Sequence, residues 1–194
     1  MIYTADYIFP ISSEPIRNGY VECDDCGTVL STGVYDEAAM ALRGVVKCRG
    51  FIVPGFSNAH CHSELSYLKG MFRKGTGMDG FIKQINELRT VVEKEERLSA
   101  IRSAFDCLVA QGVTNMADIS NCNESFQVKV DKKDLIFTRT FIEVFGTEPE
   151  DAAGIIEDAR ALQAEASSAG LAAAPTPHSC YTMSPLLNRL SAAE

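Results

Sequence analysis

The sequence predicts an α/β fold built on parallel strands, and three observations carry that reading. From residue 51 onward, short apolar and β-branched runs alternate with segments of helical period. Those runs are largely apolar, as strands covered by helices are. The three histidines all fall at the C-terminal ends of such runs, on one rim of the expected sheet. Two architectures satisfy this order, an open doubly wound sheet and a (β/α)8 barrel. No glycine-rich phosphate loop follows the first run, so the dinucleotide-binding form has no support.

The elements follow in order. Residues 1–50 read as a small all-β unit. Tyr3–Phe9 is β-branched and aromatic, and Pro10 and Pro15 then interrupt the chain. The runs Gly19–Cys23 and Thr28–Gly33 flank Asp24-Asp25-Cys26-Gly27, a hairpin signature. Val45–Cys48 is a further short strand. Residues 51–194 form the second unit. Phe51–Ala59 reads as an apolar strand leading into His60-Cys61-His62. Helical period covers Phe81–Val92, then about Ser99–Gln111 with Ile101, Ala104, Phe105, Leu108 and Val109 on the apolar face. Gly112 suits the residue after a helix end. Val113–Ile119 and Asp134–Phe145 are strands. Glu150–Ala169 is a helix with Ile155, Ile156, Ala159 and Leu162 inward, stopped by Gly170. Leu171–Thr176 is the next strand, ending in Pro177-His178, and Ser184-Pro185 opens a last helix.

Composition narrows the function classes. The chain has 194 residues, 46% hydrophobic and 23% charged, in the globular range. A formal charge of −8 argues against nucleic acid or an anionic membrane as partner, since both need basic patches. No apolar run approaches the roughly 20 residues of a membrane span. The first residues lack the basic and apolar regions of a signal peptide. Seven cysteines in a chain of this size read as reduced thiols in a cytoplasmic protein.

His60 and His62 carry the chemistry. In a strand, residues i and i+2 point to one side, and at the C-terminal end of a barrel strand both imidazoles face the barrel mouth. Two neutral imidazoles so placed share one divalent ion. An isolated His-x-His carries little information; an apolar strand and Pro54-Gly55 before it give it structural context. His178 alone reads as a loop residue, yet it belongs to the same rim. Cys23-Asp24-Asp25-Cys26 offers a structural zinc only weakly, because a zinc ribbon needs a second such pair. Cys61 points away from the histidines, and Cys180 lacks a sequence neighbour to act as its base.

Val53-Pro54-Gly55-Phe56-Ser57-Asn58-Ala59-His60-Cys61-His62 resembles the PGxxNxHxH signature of the amidohydrolase superfamily, in its deaminase and chlorohydrolase branch. Gly112–Asp118 resembles the second-strand GxTTxxD segment. Pro177-His178-Ser179-Cys180-Tyr181-Thr182-Met183-Ser184 is similar to the segment after strand four. The N-terminal β region resembles the small β-sandwich that precedes the barrel in these enzymes. The resemblance implies a partial TIM-type barrel, about the first four βα units. It implies His60 and His62 as metal ligands and His178 as a substrate contact rather than a ligand. Glu64, in His62-Ser63-Glu64-Leu65-Ser66, is a substrate-contact candidate like that of the aminofutalosine deaminase subgroup. Glu95 or Glu96 is a further one, although the run Glu93–Arg97 also reads as a solvated helix face.

The resemblance further implies one divalent ion, zinc, with iron and manganese as alternatives. It implies hydrolytic deamination of a purine-like, nucleoside-like or other heterocyclic amine, with water activated by the ion and ammonia released. The family's remaining metal ligands and its catalytic acid–base groups follow strand four. A barrel takes about 250 residues, so those groups are expected beyond residue 194 of a longer parent enzyme. The rival expectation is a catalytically incomplete half barrel that binds a partner or forms homo-oligomers through its uncovered apolar surface.

Overall fold

A computed structural model describes residues 1–40 and 43–193. The chain divides into two compact units, Met1–Gly55 and Phe56–Glu194.

The first unit is one mixed sheet. Strands β1 (Ile2–Ile8), β2 (Ile16–Cys23) and β3 (Val29–Val34) form an antiparallel meander. After the single helical turn α1 (Glu37–Met40), strands β4 (Val45–Lys47) and β5 (Phe51–Ile52) pair in parallel with the two ends of β1. The expected hairpin forms: Gly27 takes a positive φ of 83°, and Asp24 Oδ1 accepts from the N–H groups of Cys26 and Thr28. The described residues of this unit form a single sheet. The strand expected over 51–59 is two strands. Pro54 has no N–H to give a ladder, and Phe51–Ile52 pairs with Tyr7–Ile8 instead of leading to the histidines.

In the second unit, β6 (Phe56–Cys61), β7 (Val113–Ser120), β8 (Phe137–Val144) and β9 (Ala172–Pro177) form a parallel sheet in chain order. A doubly wound sheet reverses its strand order at a switch point; this sheet has no reversal, as in the winding of a barrel. Helices α2 (Gly77–Leu88) and α3 (Lys94–Ala110) follow β6, α4 (Phe126–Lys132) follows β7, α5 (Ala152–Ser168) follows β8 and α6 (Pro185–Ser191) follows β9.

The core lies between helices and sheet. Ile101 and Phe105 of α3 pack with Met116 of β7, Val128 of α4 and Ile136. Ile156 and Ala159 of α5 pack with Ile142 and Val144 of β8 and with Leu187 of α6. Along β8, Thr138, Thr140, Ile142 and Val144 are buried, whereas Phe137 and Arg139 on the other face are exposed. Gly112 and Gly170 end α3 and α5 with φ near +79° and +78°, the left-handed turn that spares glycine the Cβ penalty. Ser184 caps α6, its hydroxyl accepting from Leu187 N–H, with Pro185 in the first turn.

Helix α4 has no counterpart in the sequence reading. Its segment Phe126-Gln127-Val128-Lys129-Val130-Asp131-Lys132 carries charge at an inward position, because Lys129 is buried with Phe126 and Val128. That lysine breaks the apolar stripe by which a helix is read.

Candidate metal centre

The end of β6 is irregular, and the irregularity places the first two histidines. Asn58 pairs with Met116 and Cys61 with Asp118, so the β6 side spans one residue more. Such bulges bend a strand and re-aim its side chains. Here Asn58 Oδ1 accepts from the His60 N–H at 3.2 Å. His60 and His62 then lie with ring centroids 5.2 Å apart.

His178, just past the end of β9, joins them. Its ring centroid lies 5.2 Å from that of His60 and 4.9 Å from that of His62. One ring nitrogen from each of the three histidines can be chosen so that all lie within 4.8 Å of one another. Among the described residues this is the group whose geometry suits a metal ion. His60 is exposed and the other two half-buried.

Two carboxylates stand behind the rings. His178 Nδ1 lies 2.6 Å from Glu143 Oε1 on β8. A carboxylate only accepts, so Nδ1 carries the proton, which in the neutral ring leaves Nε2 as its acceptor. Glu143 is itself held by Asn121, whose Nδ2 donates to Oε2 at 3.4 Å. Glu64 lies 3.8 Å from His62 Nδ1, an electrostatic contact rather than a hydrogen bond. Its side chain is only 4% exposed, and neither carboxylate oxygen has a hydrogen-bond partner. Glu64 raises the His62 imidazole above its ordinary value, against the effect of burial. Burial pushes the Glu64 carboxyl up, His62 pulls it down and Asp118 pushes it up again.

Beneath the histidines runs a buried network. Asp118, in the second-strand segment, accepts from Ser63 N–H at 2.8 Å and Ser63 Oγ–H at 2.6 Å. Lys129 Nζ lies 2.7 Å from Asp118 Oδ2 and donates to Thr140 Oγ1 at 3.0 Å. Both ionic side chains have 0% exposure. Ser63 sits between His62 and Glu64, so this network holds the backbone from which both project. Sequence reasoning passed over Lys129 and Glu143. The signal for Glu143 was available: an acidic residue in an apolar strand, near the strand end that faces the rim.

Glu95 is not among the grouped side chains. It and Glu96 are exposed in the first turn of α3. The neighbouring Arg97 donates to both carboxylate oxygens of Glu124 and to Val92 O, tying the start of α3 to the loop after β7. Cys61 faces inward, as expected, and burial pushes its thiol up to about 11. All seven cysteines are free thiols.

Two cavities flank the unit. One of about 390 Å³ is lined by Glu143, Asn121, Arg89, Phe145 and Asp158. The other, about 650 Å³, lies between α2 and the turn after His178, against Met78, Ile82 and Tyr181. Neither is lined by a histidine, so the cluster lies outside both.

Comparison with solved structures decides the fold. Helicobacter pylori aminofutalosine deaminase in complex with methylthio-coformycin matches with a TM-score of 0.70 and 22% identity over 90% of this chain and 43% of that one. Guanine deaminase from C. acetobutylicum with bound guanine matches with a TM-score of 0.70 and 14% identity over 99% and 50%. Atrazine chlorohydrolase from Arthrobacter aurescens complexed with zinc matches with a TM-score of 0.76 and 10% identity over 99% and 49%. The chain has the fold of the corresponding part of these three enzymes. It spans about half the length of each. No protein-family model and no curated protein matches the sequence. Among the described residues, no helix is long and apolar enough to cross a membrane.

Proposed function

We propose that this chain carries the first four βα units of a (β/α)8 barrel in a metal-dependent aminohydrolase of the amidohydrolase superfamily. The reaction is hydrolytic deamination of a heterocyclic, purine-like amine. The observation that carries the reading is the convergence of His60, His62 and His178 at the C-terminal ends of β6 and β9, the two outer strands of one parallel sheet. That rim is where barrel enzymes place their chemistry.

The donor set suits a divalent ion, zinc first among them. Imidazole nitrogens are borderline-soft ligands that favour zinc and iron. The buried, unpartnered carboxylate of Glu64 beside His62 supports a cation at this point, because such a group is costly unless a positive charge compensates it. When bound, the ion supplies Lewis acidity that makes water a nucleophile near pH 7.

The chain's own residues set up the rest. His60 and His62 present imidazoles from the bulged end of β6. Ser63, fixed by Asp118, keeps that segment in place. Glu143 fixes the tautomer of His178, leaving Nε2 as the ring's acceptor. Glu64 is the acidic group of this wall placed to contact an amino or amidine nitrogen of the substrate. The acid–base groups belong to the remaining half of the longer enzyme, which would cover the exposed sheet face around Phe137 and Arg139. Free thiols fit a reducing, cytoplasmic setting.

The test is ammonia release from a panel of aminopurines and their nucleosides by the natural gene product, metal-loaded, against its His60→Ala/His62→Ala variant. Activity in the former and its loss in the latter are expected. A full-length, metal-loaded product that releases no ammonia from any member would overturn the deaminase reading. It would favour a binding or assembly role for the uncovered sheet face.

A further inference from the structure

Helix α2 leaves part of its apolar surface uncovered. Its inner side is anchored: Ile85 is buried, and Phe81 packs on Phe72 with ring centroids 5.1 Å apart. Met78 and Ile82, four residues apart on one helix face, are 60% and 47% exposed. Tyr181, in the turn after His178, is 73% exposed. These three side chains line one cleft of about 650 Å³, within the roughly 300–1,000 Å³ of small-molecule pockets. Scattered exposed apolar residues need no explanation, but three in one recess do.

The recess adjoins the rim that carries the histidines. Tyr181 and Thr182 of its wall lie only three and four residues past His178. Three residues of chain reach at most about 11 Å, so a nucleoside-sized molecule at the histidines extends to this wall. The turn is pinned: Thr182 N–H donates to Ser179 O at 3.2 Å, and Thr182 O accepts from Gly146 N–H at 2.8 Å. Charge narrows what fits. The ionic groups of the recess are Asp79, Lys83 and Glu87, and Lys83 lies 3.8 Å from Glu87. Two carboxylates against one ammonium leave the recess negative, which opposes an anionic ligand.

We infer that the cleft between α2 and Tyr181 seats an uncharged, apolar substituent of the substrate, with Met78, Ile82 and Tyr181 as specificity-determining residues. This rests on the proposed deaminase reading and narrows its substrate class. The amine is an extended one rather than a free base, its heterocycle at the histidines and its tail in the cleft. Contacts to a tail remote from the reacting carbon hold ground state and transition state alike, so they act mainly on KM.

The experiment uses the natural gene product, metal-loaded, with three probes. They are an aminopurine riboside, its benzyl ether at the primary hydroxyl, and the same ether with a carboxylate on the benzyl ring. The readouts are kcat and KM for ammonia release, and Kd by calorimetry. The benzyl ether should exceed the plain riboside in kcat/KM by at least about 10-fold, since a single methylene in a hydrophobic pocket is worth roughly 10-fold or more. The carboxylated ether should fall at least about 10-fold below the benzyl ether. Tyr181→Ala and Ile82→Ala should each cut the preference for the benzyl ether over the plain riboside by about 10-fold, through KM. Both positions are exposed, so the variants fold.

No preference for the benzyl ether, a preference for the carboxylated one, or a benzyl preference that survives both substitutions would overturn the cleft assignment and leave the deaminase reading standing. Calorimetry separates the two where turnover is absent. No ammonia from any probe, together with Tyr181-dependent tight binding of the benzyl ether, would overturn the deaminase reading and uphold the cleft. No ammonia and no such binding would overturn both.

Discussion

Replacing Lys129 by methionine should be the most damaging single change in the second unit outside its apolar core. The side chain has 0% exposure and lies 2.7 Å from Asp118 Oδ2, itself at 0% exposure. At an effective dielectric of 20, two unit charges at that separation attract by about 6 kcal/mol. Most of that attraction is offset by the several kcal/mol each ion loses on leaving water. The net worth of the pair is therefore small, and the cost of breaking it is not. Lys129→Met leaves the Asp118 carboxylate buried with the two Ser63 donors but no counter-charge, and the expected loss is about 3–5 kcal/mol. The assay is urea unfolding followed by circular dichroism, with the midpoint and slope read separately. Asp118→Asn combined with Lys129→Met removes both charges and keeps an acceptor for Ser63. It should recover at least about 2 kcal/mol of the loss, as neutral replacements of buried pairs do. A Lys129→Met loss below about 1 kcal/mol, or no recovery in the double variant, would refute the claim that this pair fixes the segment between His62 and Glu64.

Phe105→Ala removes a fully buried ring from the cluster of Ile101, Met116, Val128 and Ile136, and should cost about 3–5 kcal/mol in the same urea assay. Gly112→Ala forces a Cβ into a left-handed turn at the end of α3 without steric contact closer than Phe56 at 3.8 Å, so about 1 kcal/mol of destabilisation is expected from backbone strain alone. Iodoacetamide at neutral pH should label the exposed Cys26, Cys48, Cys107 and Cys180 first. Cys122 and Cys61, whose thiols burial pushes up, should label only as the fold opens, as peptide mass spectrometry with and without urea would show.

The sequence made legible whatever depends on local pattern. The helices over Lys94–Ala110 and Ala152–Ser168, the glycines that end them, the Ser184 cap and the hairpin at Asp24–Gly27 all follow from period and turn chemistry. The split of the 51–59 run was less legible, because Pro54 marks a break without saying to which sheet the preceding pair belongs. Helix α4 escaped for a different reason. Its inward lysine looks like a solvent position until Asp118, eleven residues earlier, is seen to meet it. At the site, the spacing of His60 and His62 was readable, because strand geometry alone relates i to i+2. The pairing of His178 with Glu143 was not, since it joins the ends of two neighbouring strands 35 residues apart.

These two misses are connected. A charged side chain inside an apolar element is expensive, and two such residues here are matched to partners from other elements: Lys129 to Asp118, and Glu143 to Asn121 and His178. Both groupings converge on the rim, one beneath the backbone after His62 and the other behind the ring of His178. Burying these groups gains little stability, since well-packed apolar residues would serve a core as well or better. What they provide is position. Ser63 gives two hydrogen bonds to one carboxylate, and His178 takes its tautomer from another. Glu64 differs from both, a buried carboxylate with no hydrogen-bond partner, beside His62, where a cation would compensate it.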